Sequence, residues 1–295
     1  MPSWHLFSAH YFKQNPLTTI TKENINMENQ PKLSYLDATG EIPHNMTNDY
    51  MFRYILQKNE KVLRGLIASL LHLNPNDIKK LTIKNPINLA EEIIGKDFIM
   101  DIEVMMNDNT LINLEMQVNN KHNWSERSLS YLCRTFDQLY EGQDYSEGLP
   151  VHHIGFLEYT LFPNYPEFFA TYQMLNIKNH HLYSSKFSLS VIDLTQIGMA
   201  NEDDKMYRVD YWARLFKSKT WEEIKMLAKD NEYLDAAANS LYEANADRMV
   251  RERCRARKEA ERYERTLERD NKLLKEENTS LKDRIKELEA QLAAK

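Results

Sequence analysis

The chain has little of what would place it outside a reducing compartment or across a membrane. Of its 295 residues only two are cysteines, Cys133 and Cys254. They lie far apart in segments that read as helix, so they support neither a disulfide framework nor a zinc cluster, which fits a cytoplasmic protein. No apolar run approaches the roughly 18 residues that a membrane helix needs. Residues 1–26 lack the charged-then-apolar layout of a signal peptide and read as a disordered leader or an upstream start. Positive charge is also short: the formal net charge is −6. It is unevenly spread. Residues 248–269 hold nine Arg or Lys against five Glu, and residues 270–295 balance six against six, which leaves −10 on residues 1–247. An acidic body repels phosphate, so tight non-specific binding to nucleic acid is excluded unless basic patches or bound cations mediate it.

What is present is a hairpin pattern. Residues 98–106 and 111–118 each alternate apolar and polar, as a strand with one buried face should. Ile102, Val104 and Met106 match Ile112, Leu114 and Met116, while Asp101, Glu103, Asn113, Glu115 and Gln117 share the other face. With Asn107-Asp108-Asn109 as the loop, Met106 pairs with Thr110 and Asp101 falls opposite Glu115. A one-residue slip would set apolar side chains of one arm against polar ones of the other. Two carboxylates on adjacent strands, with Cβ atoms about 5 Å apart, repel unless something separates their charge, and a hard cation such as Mg²⁺ does so. The same spacing also fits the solvated face of an ordinary amphipathic hairpin, and alternation alone does not decide between the two.

The ordered set Lys96, Asp101 and Glu115-x-Gln117 resembles the Asp…Glu-x-Gln variant of the PD-(D/E)XK nuclease motif. Its flanks extend the likeness: Asn48-Asp49-Tyr-Met-Phe52 opening a helix, Arg127-Ser-Leu-Ser-Tyr131 after the hairpin, Gly142-Gln-Asp-Tyr145, and an apolar run over 151–161. Together these resemble the Rpn-type recombination-promoting nucleases, also described as PD-(D/E)XK nuclease family transposases, over residues 45–250. The resemblance implies an α/β fold with a restriction-endonuclease-like core, a mixed central sheet flanked by helices. It implies a Mg²⁺- or Mn²⁺-dependent DNA endonuclease with Asp101 and Glu115 as metal ligands and Gln117 in the usual lysine position. Gln117 can hydrogen-bond a water or a phosphate oxygen but carries no charge. Lys96 is a candidate for the missing charge, or a solvated lysine at the strand edge. Asp49 matches the place of an extra acidic residue on the first helix, and it equally suits a helix N-terminus.

Residues 48–73 read as one helix capped by Thr47 or Asn48, residues 78–84 as a strand, and residues 124–140 as a helix that buries Leu129, Leu132, Phe136 and Leu139. On another face of that helix Arg127, Tyr131, Arg134 and Gln138 form a stripe, either a phosphate-backbone contact or a solvated face. His152-His153 has no third ligand in sight and is read as structural. Residues 151–161 and 187–194 read as strands, 162–185 as an aromatic loop, and 206–245 as helical. In the tail Leu267, Leu274, Leu281 and Leu288 recur every seven residues, with Asn271, Asn278, Ile285 and Leu292 at the companion positions. Leucine at d with asparagine at a favours a parallel two-stranded coiled coil, hence a homodimer; a single charged helix packed on its own body is the alternative. Arg251 and Arg255, just before the heptads, are candidate nucleic-acid contacts.

The expected organisation is a leader over 1–44, a nuclease-like domain over 45–200, a helical extension over 201–247, and a basic helix with coiled coil over 248–295. The alternative function is a weak or inactive nuclease-fold protein that binds nucleic acid or protein through its coiled coil.

Overall fold

The computed structural model describes residues 34–87, 101–137 and 144–294. A six-stranded mixed sheet runs in the order β1-β2-β3-β4-β6-β5. Its strands are β1 (Leu81–Ile83), β2 (Ile102–Met106), β3 (Thr110–Gln117), β4 (Val151–Leu157), β5 (Phe169–Tyr172) and β6 (Phe187–Asp193). β3, β4 and β6 are mutually parallel, and the other pairings are antiparallel. A parallel step from β3 to β4 requires a crossover, which α3 (Trp124–Phe136) supplies.

Both faces of the sheet are covered. On one face the apolar residues Ile112, Leu114 and Met116 of β3 join Ile154 and Phe156 of β4 in the larger core. That core is completed by α1 (Asp49–Lys58), α2 (Glu60–Leu70), α5 (Val209–Lys217), α6 (Trp221–Ala228) and α7 (Glu232–Ala246), with the short α4 (Glu202–Met206) beside α5. Phe52, Phe156 and Phe216 meet edge to face at its centre. The opposite face packs Trp124 and Leu132 of α3 on Leu111, Val151 and Val191.

The hairpin has the register expected from the alternation: Met106 faces Thr110 and Ile102 faces Leu114, which carries Asp101 to Glu115. Its polar face, however, is not the wet one that a half-exposed hairpin would show. Asn113, Glu115 and Gln117 are buried: Arg127 reaches from α3 across Glu115 and Gln117, and Asn113 meets the ring of His153 on β4. That placement also corrects the orientation expected of α3. The helix buries Trp124, Ser128, Leu132 and Thr135, while Leu129 and Phe136 remain exposed. The buried stripe alternates Trp124 and Leu132, which meet the apolar residues of this sheet face, with the small hydroxyl side chains Ser128 and Thr135. Leu139 and Gln138 lie outside the described residues.

The expected single helix over 48–73 is two helices. Asn59 takes an extended conformation, its backbone N–H closes on Ile55 O, and its side chain accepts from the Lys61 and Val62 N–H groups as the cap of α2. Apolar spacing continues through the break, which is why periodicity cannot see it. The strand expected to reach 161 stops at Leu157, and 169–172, read as loop, is the edge strand β5.

The leader expected over 1–44 ends in packed chain. Tyr35 is buried with its hydroxyl donating to Asp235 (2.6 Å), and the Ile42 N–H donates to Lys219 O (2.7 Å). Residues 201–247 share the main core with the sheet, so the division expected at residue 200 has no counterpart in packing. The last helix, α8 (Arg248–Ala293), packs its first part on α1 and α7, burying Val250 and Cys254. Among the described residues no helix is long and apolar enough to cross a membrane.

Candidate active site

Asp49, Asp101, Glu115, Gln117 and Arg127, from α1, the hairpin and α3, line one polar pocket. Asp49 is the first residue of α1, following its cap Asn48. Asp101 precedes β2, and its carbonyl is fixed by the buried guanidinium of Arg53 and by the amide of Asn85 (3.1 Å). Glu115 and Gln117 stand two residues apart on the α3 side of β3. Arg127, one turn into α3, ion-pairs with Glu115 Oε1 and donates to Gln117 Oε1 (3.2 Å), while Gln117 Nε2 donates to Asn119 O (3.0 Å).

Burial governs the electrostatics. It pushes the Glu115 carboxyl up to about 7; Arg127 pulls against that shift and Asp101 adds to it. Asp101 is raised by burial too, against its own backbone N–H, Arg53, Asn113 and Arg127. His153, fully buried on β4, is pushed down to about 4 by burial and by Arg127, so its ring is neutral at pH 7. Its Nδ1 lies 3.1 Å from the Asn113 amide nitrogen, which can only donate. The ring proton is therefore on Nε2, 3.8 Å from Glu115 Oε2.

The site residues expected from the sequence are thus partly gathered. Tyr131 stands beside the pocket, stacked under both Arg127 (5.4 Å) and Arg134 (5.8 Å). Arg251 caps the end of α7 by donating to Asn245 O and Ala246 O, and Arg255 pairs with Glu259 on the surface of α8. Neither lines the pocket. Lys96 lies outside the described residues. The pocket also contains residues that sequence reasoning passed over: Lys121, and from α8 Arg257, Glu261 and Glu264. Arg257 Nε donates to Asp49 Oδ2 (2.6 Å). The signal for α8 was present in its spacing: Val250, Cys254, Arg257, Glu261 and Glu264 recur at four and three residues, the stripe a packed helix needs.

The donor set is compatible with one divalent cation. Glu115 Oε2 is buried with no hydrogen-bond partner, an arrangement that costs free energy unless a ligand completes it. The pocket holds five carboxyl groups against three basic side chains, an excess of two that one divalent ion would balance. Its volume of about 60 Å³ has room for an ion with part of its water shell. Among the described residues no group of three or more His, Cys, Asp or Glu side chains is arranged to hold a metal, so protein ligands would be two carboxylates with water supplying the rest, as Mg²⁺ accepts.

A mixed sheet flanked by helices, with an acidic pair and a glutamine at the mouth of its central hairpin, defines a nuclease-like α/β protein of the PD-(D/E)XK type. A family model described as PD-(D/E)XK nuclease family transposase matches residues 46–270, and the chain belongs to that family. Searches among curated proteins and solved structures gave no match. Membership supports a nuclease- or transposase-like function, and DNA as the partner.

Proposed function

We propose that this protein is a metal-dependent DNA endonuclease that hydrolyses phosphodiester bonds in the cytoplasm. The observation that carries the reading is the convergence of Asp101, Glu115 and Gln117 in one pocket where Glu115 Oε2 is buried and unpartnered. Asp101 and Glu115 would hold Mg²⁺ or Mn²⁺, which when bound neutralises phosphate charge and acidifies a water. Gln117 offers a neutral amide that orients a water or a phosphate oxygen. Arg127 supplies the charge that Gln117 lacks: its guanidinium already bridges Glu115 and Gln117, and a planar fork of this kind suits a phosphate. His153, buried and neutral, is held by Asn113 beside Glu115 and adds no charge there.

The test is plasmid cleavage by the purified chain with Mg²⁺, Mn²⁺ or EDTA, comparing wild type with Asp101→Ala. Nicking or linearisation that needs the cation and is lost in the variant is the expected result. No cleavage with any cation, together with gel shifts that the substitution leaves unchanged, would replace this reading with the binding-module alternative.

The same proposal includes a homodimer through a parallel coiled coil over 267–292. Leu267, Leu274, Leu281 and Leu288 are exposed on α8, and a leucine seam of this length gains from a partner helix. Leu281→Asp is expected to turn a dimer into a monomer in sedimentation equilibrium. A wild type already monomeric at tens of micromolar would remove the dimer from the proposal.

A further inference from the structure

The basic tail helix is more than an appendage to this pocket. In its first part α8 turns Val250, Cys254, Arg257, Glu261 and Glu264 toward the body, with Val250 and Cys254 fully covered. The leucine seam overlaps that stripe: its companion positions Asn271 and Asn278 lie seven and fourteen residues past Glu264, on the line of Arg257 and Glu264. The leucines themselves shift to one side, since passing from Glu264 to Leu267 takes three residues where the alternation calls for four. At about 100° per residue, the centre of the seam is turned by only about 60° from the body-facing stripe. The helix walls the pocket with its first part, up to Glu264, and carries the leucine seam beyond it.

Two ion pairs fasten α8 to the pocket. Lys121–Glu264 (2.8 Å) is at the rim, with both side chains more than one-third exposed, and such pairs contribute little. Arg257–Asp49 (2.6 Å) is different in kind, because the two side chains are only 19% and 8% exposed. Arg257 also lies 3.9 Å from Glu261. It holds Asp49 through Oδ2. The other oxygen, Oδ1, is buried and has no hydrogen-bond partner, and Asp49 lines the same cavity as Asp101 and Glu115. A rigid acceptor facing a small polar cavity is suited to orient a water within it.

We propose that Arg257 is a positioning residue of the cleavage site: by holding Asp49 through Oδ2 it presents Oδ1 to the pocket as the acceptor for a water, so that the tail helix completes the site. This rests on the nuclease reading above. Asp49 acts on the water, and Arg257 acts only through Asp49. Loss of Arg257 therefore lowers kcat and leaves KM for DNA nearly unchanged.

The experiment is a cycle in the full chain of wild type, Asp49→Asn, Arg257→Gln and the double variant, with kcat and KM measured on one duplex in Mn²⁺. Each single variant is expected to lose about tenfold or more in kcat, with the double no slower than Asp49→Asn, as for residues acting as a unit. Lys272→Gln, which removes the same charge from an exposed site on α8, keeps the wild-type rate. Arg257→Lys, the more conservative change, falls between wild type and Arg257→Gln. Calorimetry of Mn²⁺ binding without DNA gives an independent readout: Arg257→Gln binds as tightly as wild type or more tightly, because a positive charge has left the pocket.

The inference is overturned by an unchanged kcat in Arg257→Gln, by losses that multiply in the double variant, or by a rise in KM alone, which would make Arg257 a phosphate contact. An Arg257→Lys as slow as Arg257→Gln, or a tenfold loss of Mn²⁺ affinity in Arg257→Gln, also overturns it. A wild type that does not cleave fails the nuclease reading itself, and this inference with it; a cleaving wild type with an indifferent Arg257 fails the inference alone.

Discussion

Replacing Glu115 with glutamine is expected to raise the melting temperature of the cation-free protein at pH 8 by several degrees while removing cleavage. Glu115 is 3% exposed, and its carboxyl is pushed up to about 7 from an ordinary 4.5, first by burial, with Arg127 opposing and Asp101 adding. A raised folded pKa means that the folded state holds more protons than the unfolded chain between those two values. Stability from this group is therefore complete below pH 4.5 and is lost as the pH climbs through 7. Glutamine copies the protonated carboxyl at every pH. The variant's advantage over wild type should grow from nothing below pH 4.5 to something on the order of 3 kcal/mol above pH 7. The opposite linkage of His153, pushed down to about 4, is present in both proteins and drops out of the difference. Melts in EDTA from pH 4 to 8.5 check the sign, and a difference that is flat with pH, or a wild type more stable at pH 8, would sink the account. Cleavage should fall by roughly a hundredfold or more, since even residues that only support a metal ligand cost 10–100-fold. A group whose charge destabilises the empty protein and is required for the reaction is the usual trade of stability for function.

The hairpin was legible because two independent local signals agree on it. Period-two alternation fixes which residues share a face, and the turn chemistry fixes the register: Asn107 and Asp108 take the left-handed conformation that these residue types tolerate. Together they carry Asp101 to Glu115 with no knowledge of the rest of the chain. What alternation cannot report is what lies above a face. The pattern at Asn113, Glu115 and Gln117 is the same for a wet sheet and for a sheet covered by α3, and only the covered one gives these groups their altered acidity. The same limit explains the misjudged face of α3, where Leu129 looked like core and Ser128 is core. Asn59 hid inside an unbroken apolar period because it caps two helices at once. Arg257 looked like one basic residue among nine, and its meaning comes from Asp49, 208 positions away.

Gly155→Ala is expected to destabilise the protein by about 3 kcal/mol, at the upper end of what overpacking costs, and to slow cleavage with it. Gly155 sits in β4 between Glu115 of β3 and Val191 of β6, so its backbone is held by parallel neighbours on both sides. A Cβ added there would stand 2.1 Å from Trp124 Cζ2 and 2.4 Å from Cη2. Since the strand is pinned, the indole must give way. Trp124 is the first residue of α3, buried against the sheet, and Arg127 follows it by three residues. Displacing the ring tilts the turn that carries Arg127 to Glu115 and Gln117, so a methyl group on the sheet reaches the site through one helix. Trp124→Leu removes the obstructing ring atoms at the cost of a cavity, which by itself should lose about 3 kcal/mol or more. Placed together, the two changes should cost clearly less than the sum of their separate losses, because the added methyl occupies space the ring has vacated. Denaturant titrations of the four proteins measure this directly. A Gly155→Ala protein that melts like wild type, or a pair of losses that simply add, would show that the indole is free to move and that Arg127 is positioned by something other than this contact.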